Sequence, residues 1–166
     1  MSDPIAYFIT FRTYGTWLHG DERGSMDRHH NIYGTPLLDA HAGRQRSARL
    51  RLVHPPVTLS KSARDAVSMV IRQVCDHHDW TLHSSNVRSN HVHVVVSAPR
   101  TPEQVMLAFK SWCTRRLRQL GLAQKDATVW SRHGSTKYIW KPNQLTEACR
   151  YVVEAQDDHD GLVRTP

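Results

Sequence analysis

Residues 90–97 read Asn90-His91-Val92-His93-Val94-Val95-Val96-Ser97, and this stretch carries the clearest structural signal in the chain. Val92, Val94 and Val96 alternate with the other residues, which is the period-2 pattern of a β-strand. Valine is β-branched and fits a pleated, half-buried surface. In a strand, the two histidines point to the same face, roughly 7 Å apart along the chain at about 3.3 Å per residue. Two imidazoles at that spacing can bind one divalent ion or one phosphate.

The same pattern has a simpler explanation, because a sheet with one open face often carries polar residues there. The chain is also rich in histidine, with 12 in 166 residues. The histidine pair therefore indicates a functional site only in combination with other features of the chain.

The charge balance is the first such feature. The chain has 22 Lys and Arg against 15 Asp and Glu, which gives a net charge of +7 and a pI near 9.7. An excess carried mostly by arginine favours a polyanionic partner, because the guanidinium group matches phosphate oxygens in a bidentate fork. A solvated basic surface without a partner is the alternative.

Cysteine usage and hydropathy predict the compartment. The three cysteines, Cys75, Cys113 and Cys149, are far apart and lie in apolar helical patterns, so we expect buried free thiols in a reducing environment. No apolar run approaches the roughly 20 residues of a membrane span, and the N-terminus lacks the pattern of a signal peptide. We therefore expect a soluble cytoplasmic protein, associated with the nucleoid if its partner is DNA, and no membrane.

Apolar periodicity divides the chain into alternating strands and helices. Strands are predicted at residues 5–13, 80–87 and 90–97, and residues 129–140 predict a turn or bulge around Gly134 followed by a short final strand. Helices are predicted at residues 60–78, at residues 101–120 and at about residues 143–157. The order β-α-β-β-α-β with an added C-terminal helix is the ferredoxin-like split β-α-β plan, an α+β fold with an antiparallel sheet. We expect residues 1–166 to form one domain.

A long basic loop is predicted at about residues 21–56, where glycine and proline break the periodicity. Loops of this length in a small domain usually carry a function or are disordered. We interpret the loop as an arm that follows phosphates, with a surface insertion as the alternative. Together with the basic second helix and the first strand, it supplies the predicted nucleic-acid-binding residues, which are Arg12, Arg44, Arg46, Arg49, Lys110, Arg115 and Arg118.

Several motifs together resemble the single-tyrosine HUH transposases, the IS200-like family that includes the REP-associated tyrosine transposases. The matching segments are Phe8-Ile9-Thr10-Phe11, Asn90-His91-Val92-His93, Val129-Trp130 and Arg150-Tyr151-Val152. The resemblance spans most of the chain. It implies a DNA transposase that nicks and rejoins single-stranded DNA at hairpin-bearing ends through a 5′-phosphotyrosine, assisted by Mg²⁺ or Mn²⁺. It leaves open whether one chain or a homodimer completes the active site.

By this resemblance, Tyr151 is the catalytic nucleophile. At about 100° per residue from Leu145, Tyr151 lies roughly 120° from the apolar stripe of its helix, so its ring is not needed to fill the core. A tyrosine in an amphipathic helix more often packs its ring and exposes its hydroxyl. Tyr138 is the competing candidate.

The metal ligands implied by the resemblance are His91, His93 and Gln156. Relatives commonly place Gln or Asn four residues after the tyrosine, and here Ala155 occupies that position. Gln156 follows it, as if one residue were inserted, and Glu154 is the alternative oxygen donor.

Two other functions are consistent with the same motifs. One is a domesticated, non-catalytic protein that binds DNA or RNA hairpins. The other is a nickase that uses the tyrosine without joining strands.

Overall fold

Four antiparallel strands form the centre of the computed structural model, which describes residues 2–16, 46, 50, 52 and 54–154. The strands are β1 (Ala6–Thr13), β2 (Thr81–Val87), β3 (His91–Ser97) and β4 (Trp130–Ile139). The helices are α1 (Lys61–His78), α2 (Pro102–Gln119) and α3 (Pro142–Glu154). The strand order across the sheet is β2-β3-β1-β4. This is the α+β split β-α-β architecture predicted from the sequence, with the added C-terminal helix.

Helices α1 and α2 cover one face of the sheet. Side chains from β1 and β3, such as Ile9, Phe11 and Val94, form one buried cluster with Ile71 of α1 and Phe109 of α2. Full burial of an aliphatic or aromatic side chain of this size contributes about 1.5–3 kcal/mol. This cluster is therefore the main source of stability.

Local sequence signals set the ends of these two helices. The Ser60 hydroxyl accepts a hydrogen bond from the Ala63 backbone N–H at the start of α1. Thr101 and Gln104 form a reciprocal capping box at the start of α2, which satisfies two N–H groups that the helix leaves unpaired. Gly121, with φ of 69°, lies just beyond the end of α2, which agrees with the predicted end of this helix at residue 120.

Helix α3 covers the opposite face. Ala148 and Val152 pack against Phe8, Val95 and Ile139 in a second, smaller cluster. Val95 is therefore buried although it shares a strand face with the histidines. The neighbouring part of this face carries His91 and His93.

Of the two alternatives predicted at Gly134, the structure contains the bulge. Phe11 pairs with Gly134, but Thr13 pairs with Trp130, so the register between β1 and β4 slips at this point. Strand β4 continues through the glycine and is 10 residues long, longer than the short strand predicted. A Cβ atom at position 134 would lie 2.5 Å from both Met106 Sδ and the Thr10 carbonyl oxygen. Glycine is favoured there because the Thr10 backbone carbonyl of β1 and the Met106 side chain of α2 both occupy the space that a Cβ atom would take.

Only part of the predicted basic loop is described. Arg46 and Leu50 are helical and exposed, where the sequence predicted irregular chain; the surrounding Arg, Gln, Ala and Leu residues are good helix formers. Arg44 and Arg49 lie outside the described residues. Cys75, Cys113 and Cys149 are free thiols, as predicted, with Cys149 only partly buried. Within the described ranges, every helix is too short or too polar to cross a membrane.

Candidate active site

Strand β3 places His91 and His93 side by side on the face that carries α3. Their ring centroids are 4.8 Å apart, with an angle of 76° between the ring planes. The side chains therefore lean together from the spacing of roughly 7 Å that an ideal strand gives. His93 is only 8% exposed, whereas His91 is partly exposed. The sequence prediction that the two imidazoles share one face is confirmed.

The His93 ring is held by its neighbours on β1. Its Nδ1 atom lies 2.7 Å from the hydroxyl oxygen of Thr10, the residue directly opposite it in the sheet. Phe8 stacks on the other side, with ring centroids 5.4 Å apart and planes 10° from parallel. These two contacts fix both the position and the rotation of the imidazole.

The hydrogen bond of His91 identifies its neutral tautomer. His91 Nδ1 lies 2.6 Å from the side-chain oxygen Oδ1 of Asn90, which can only accept a hydrogen bond. Nδ1 therefore carries a proton, and in the neutral form of the ring Nε2 carries the lone pair. If the Thr10 hydroxyl accepts from His93 Nδ1 in the same way, both imidazoles present Nε2 lone pairs. Such partners commonly orient histidines that bind metals.

The surroundings of His93 keep it neutral. Burial lowers the pKa of His93 well below 6.5, and repulsion from His91, when that ring is protonated, and from Arg12, Arg88 and Lys137 lowers it further. A neutral imidazole is the form that binds a metal ion. Arg12, Arg88 and Lys137 lie near enough to His93 to interact with a phosphate bound there.

Helix α3 brings Tyr151 to the histidine pair within the same chain. The Tyr151 ring centroid lies 5.9 Å from that of His93 and 6.0 Å from that of Phe8, in edge-to-face geometry both times. The side chain is 41% exposed, because Ala148 and Val152 supply the buried face of the helix. Tyr151 therefore lies on the flank of the apolar stripe, as predicted.

Tyr138, the competing candidate, lies on the other face of the sheet. It pairs with Tyr7 across the strands, and the two rings meet edge-on at 5.4 Å. Tyr7 belongs to the cluster under α1 and α2. Tyr138 is therefore separated from the histidine pair by the sheet.

Asn86 is a site residue that sequence reasoning missed. Its side-chain amide donates to the Val152 carbonyl oxygen at 2.9 Å, and Asn86 pairs with His93 in the sheet. This hydrogen bond ties the last described turn of α3, and with it Tyr151, to strand β2. The only sequence signal was an asparagine within a strand, where the residue is disfavoured.

The donor set fits two ligands of a divalent ion. Among the described residues, no third His, Cys, Asp or Glu completes a cluster with His91 and His93. Gln156 lies outside the described residues, and Glu154 is exposed at their end. Ions such as Mg²⁺ often take few protein ligands and complete their shell with water and substrate phosphate oxygens. Two imidazoles beside an open face are compatible with that arrangement.

The predicted nucleic-acid-binding residues occupy different places. Arg12 pairs with His91 across the strands. Arg115 and Arg118 line a cleft on α2. The Lys110 ammonium donates to the Ser131 carbonyl oxygen at 2.8 Å, and burial lowers its pKa to about 8. This side chain is therefore already hydrogen-bonded within the protein.

Comparison with known proteins identifies related sequences and folds. The sequence profile of the IS200-like transposase family matches residues 56–153. No curated protein matches the chain. The fold is similar to that of a REP-associated tyrosine transposase bound to a REP hairpin, with a TM-score of 0.56 and 11% identity over 96% of this chain and 70% of the other. It is also similar to a candidate transposase from Deinococcus radiodurans R1, with a TM-score of 0.51 and 12% identity over 92% and 91% of the two chains.

Proposed function

The chain belongs to the IS200-like transposase family, and from this premise we propose that it is a strand transferase that nicks and rejoins single-stranded, hairpin-bearing DNA through a 5′-phosphotyrosine. The observation that carries the proposal is the position of Tyr151, whose ring lies 5.9 Å from that of His93 in the same chain. A nucleophile and a pair of metal-binding imidazoles then lie on one face of the sheet.

Tyr151 performs the covalent step. Its phenolic oxygen attacks the scissile phosphorus and forms the new Tyr–O–P bond, while the P–O3′ bond breaks. The phenol proton leaves to solvent and the departing 3′ oxygen takes up a proton, so a free 3′-OH and a protein-bound 5′ phosphate result. Because the covalent bond keeps the phosphodiester energy, a second 3′-OH can reverse the step and join. No nucleotide cofactor is then required.

His91 and His93 would hold the divalent ion, Mg²⁺ or Mn²⁺. When bound, the ion polarises the scissile phosphate. The hydrogen bonds that the two rings make with Asn90 and Thr10 keep them in place. These bonds orient the imidazoles before DNA arrives, so the site needs little rearrangement.

Arg12, Arg88 and Lys137 supply positive charge around the reaction centre, close enough to lower the pKa of His93. Charge that builds up on the phosphate oxygens during displacement is stabilised by cations already in position. The same cations hold the DNA backbone in the ground state.

Hairpin-bearing single-stranded DNA is the substrate that we infer from the family. The similar REP-associated transposase is bound to a REP hairpin. The excess of arginine in this chain, with its net charge of +7, is compatible with such a polyanion.

The direct test is formation of a covalent protein–DNA adduct. The probe is a 3′-labelled library of DNA hairpins with randomised single-stranded flanks, incubated with Mn²⁺ and analysed on a denaturing gel. We expect a labelled protein band that EDTA abolishes and that Tyr151→Phe lacks, while Tyr138→Phe retains it. An adduct of undiminished intensity in Tyr151→Phe would refute the assignment of the nucleophile.

Two further measurements separate this function from its alternatives. An acceptor strand with a free 3′-OH should yield a joined product, which a simple nickase does not make. His91→Ala should lose the adduct but keep most of its hairpin affinity, because phosphate contacts dominate binding. A wild-type protein that binds hairpins and never forms the adduct would be the non-catalytic binder.

A further inference from the structure

A cleft of about 720 Å³ lies along the C-terminal half of α2, on the face of the sheet opposite to Tyr151. Its wall is formed by α2 and by the segment that follows the helix. The lining residues are Lys110, Ser111, Thr114, Arg115, Arg118, Gln119, Ala123 and Lys125. Four of the eight carry a positive charge, and none is acidic or aromatic.

The charge of this cleft is not compensated within the described part of the chain. Arg115 and Lys125 are exposed, and no carboxylate of a described residue pairs with either of them or with Arg118. Arg118 makes one hydrogen bond, to the Ala127 carbonyl oxygen at 3.2 Å. The positive potential of three side chains therefore remains directed toward the cleft, where it can act on an anion.

Lys110 builds the floor of the cleft. Its ammonium donates to the carbonyl oxygens of Ser131, Arg132 and His133, at 2.8, 3.5 and 3.2 Å. These three residues lie in the bulge of β4, where the register with β1 slips. Lys110 thus connects α2 to the bulge through hydrogen bonds, and the cleft lies next to the start of β4.

The cleft and the histidine pair lie at the same end of the sheet. Thr13 pairs with Trp130 at the start of β4, and the neighbouring Arg12 pairs with His91. Only β1 separates β3 from the edge strand β4. At about 4.8 Å between neighbouring strands, β3 and β4 are about 10 Å apart. Arg132 and His133 are exposed on β4 between the two places. A nucleic-acid strand can pass around this edge from one face to the other.

We propose that the α2 cleft binds backbone phosphates of the same DNA whose scissile phosphate lies at His91 and His93, which rests on the function proposed above. Arginine matches phosphate oxygens in a bidentate fork, and Ser111, Thr114 and Gln119 add neutral hydrogen-bonding groups. With no aromatic side chain in the lining, the cleft has no platform on which a base can stack. It therefore contributes affinity without sequence preference. The DNA contacts two faces of the protein and wraps the edge at β4.

The test compares two double variants that each remove two positive charges. Arg115→Ala/Lys125→Ala removes the cleft cations that make no described hydrogen bond, and Arg72→Ala/Arg100→Ala removes two exposed arginines outside the cleft. Fluorescence anisotropy measures the affinity for a hairpin DNA with a single-stranded extension between 50 and 300 mM salt. Removal of one cation that neutralises a phosphate reduces the slope of log affinity against log salt by about 0.7–0.9. We expect the cleft variant to bind about tenfold more weakly at low salt, with a slope smaller by about 1.5, and the control variant to change less than twofold.

Equal losses of affinity in the two double variants, or no loss in the cleft variant, would overturn the proposal. Thermal unfolding followed by circular dichroism checks that both variants fold as the wild type does. Parallel titrations with a hairpin lacking the extension and with the extension alone show which part of the DNA occupies the cleft. A loss of affinity in either titration supports the site, and no loss in both refutes it.

The binding measurement needs no chemistry, so it is independent of the adduct assay. If wild-type protein forms no adduct but the cleft variant binds more weakly, the proposed function fails and the cleft assignment stands. If the adduct forms and the two variants bind alike, the cleft assignment alone fails.

Discussion

Thr10 is the residue that most directly controls the geometry of His93. Replacing it with Val keeps the shape and removes the hydroxyl that lies 2.7 Å from Nδ1. Loss of such an orienting partner typically weakens metal affinity 10- to 100-fold. We therefore expect Thr10→Val to bind Mn²⁺ at least about tenfold more weakly in a calorimetric titration, whereas Thr10→Ser stays near the wild-type value. Equal affinity in Thr10→Val and wild type would show that the hydroxyl does not orient the ring.

The buried His93 also predicts an acid-sensitive fold. The unfolded chain protonates this histidine near pH 6.5, whereas the pKa of His93 in the folded protein lies well below that value. Below pH 6.5 the unfolded state binds more protons, so the free energy of unfolding falls as the pH falls, by up to about 1.4 kcal/mol per pH unit for one group. Above pH 6.5 this contribution is fully present.

Urea unfolding between pH 5 and pH 8 measures this effect. His93→Gln should have a shallower dependence on pH than wild type below pH 6.5, and His133→Gln, at an exposed position, should keep the wild-type dependence. A wild-type slope retained in His93→Gln would contradict the assignment.

At the scale of single residues, the sequence predicted what depends on local periodicity. The alternation around Val92 and Val94 placed the two histidines on one face, and helical spacing placed Tyr151 on the flank of its helix. The roles of Thr10 and Asn86 depend on which residues face each other across strands, and no local pattern encodes that register. Gln156 and the third metal ligand stay a prediction.

Among the structural elements, β4 packs tightly against both α2 and β1 at Gly134. A methyl group there would collide with Met106 Sδ and the Thr10 carbonyl oxygen, each 2.5 Å away. Overpacking of this kind costs about 1–3 kcal/mol. We expect Gly134→Ala to lose that much free energy of unfolding in urea titrations.

The matched control is Gly121→Asn. Gly121 lies just after α2 with a positive φ, which asparagine tolerates, and no neighbouring atom is within 4 Å of the place of its Cβ. A similar loss of stability in both variants would mean that the close contacts with Met106 and the Thr10 carbonyl are not the cause.

The hydrogen bond from Asn86 to α3 predicts a kinetic effect. Without it, the Val152 carbonyl loses its partner at 2.9 Å, and the turn that carries Tyr151 is held less firmly. A neutral hydrogen bond contributes about 0.5–1.5 kcal/mol, so we expect the single-turnover rate of adduct formation in Asn86→Ala to fall about 2- to 10-fold. Mn²⁺ affinity should stay unchanged, because the histidine contacts are intact. An unchanged rate would show that this bond does not position the nucleophile.

Element types and order could be predicted from the sequence because periodicity, N-caps and glycine stops are local signals. The helices predicted from residues 60 and 101 have Ser60 and Thr101 as their N-caps in the structure. The length of β4 could not be predicted, because a glycine signals a turn locally, whereas Gly134 is explained by its contacts with Thr10 of β1 and Met106 of α2.

At the scale of the whole molecule, the fold brings β3 and α3 together within one chain. The sequence left open whether one chain or two complete the site, because that depends on where α3 packs. In the structure, α3 packs on the sheet of the same chain, on the face that carries His91 and His93. Ala148 and Val152 make the buried contacts. The account therefore requires His91, His93 and Tyr151 of the same chain to act together.

Mixing two inactive variants tests that requirement most directly. Tyr151→Phe keeps the histidine pair and His91→Ala keeps the tyrosine, so each is measured alone and then mixed in equal amounts with the labelled hairpin library and Mn²⁺. The account predicts an adduct with wild type and none with either variant or with their mixture. An adduct formed by Tyr151→Phe alone, or restored in the mixture, would contradict it.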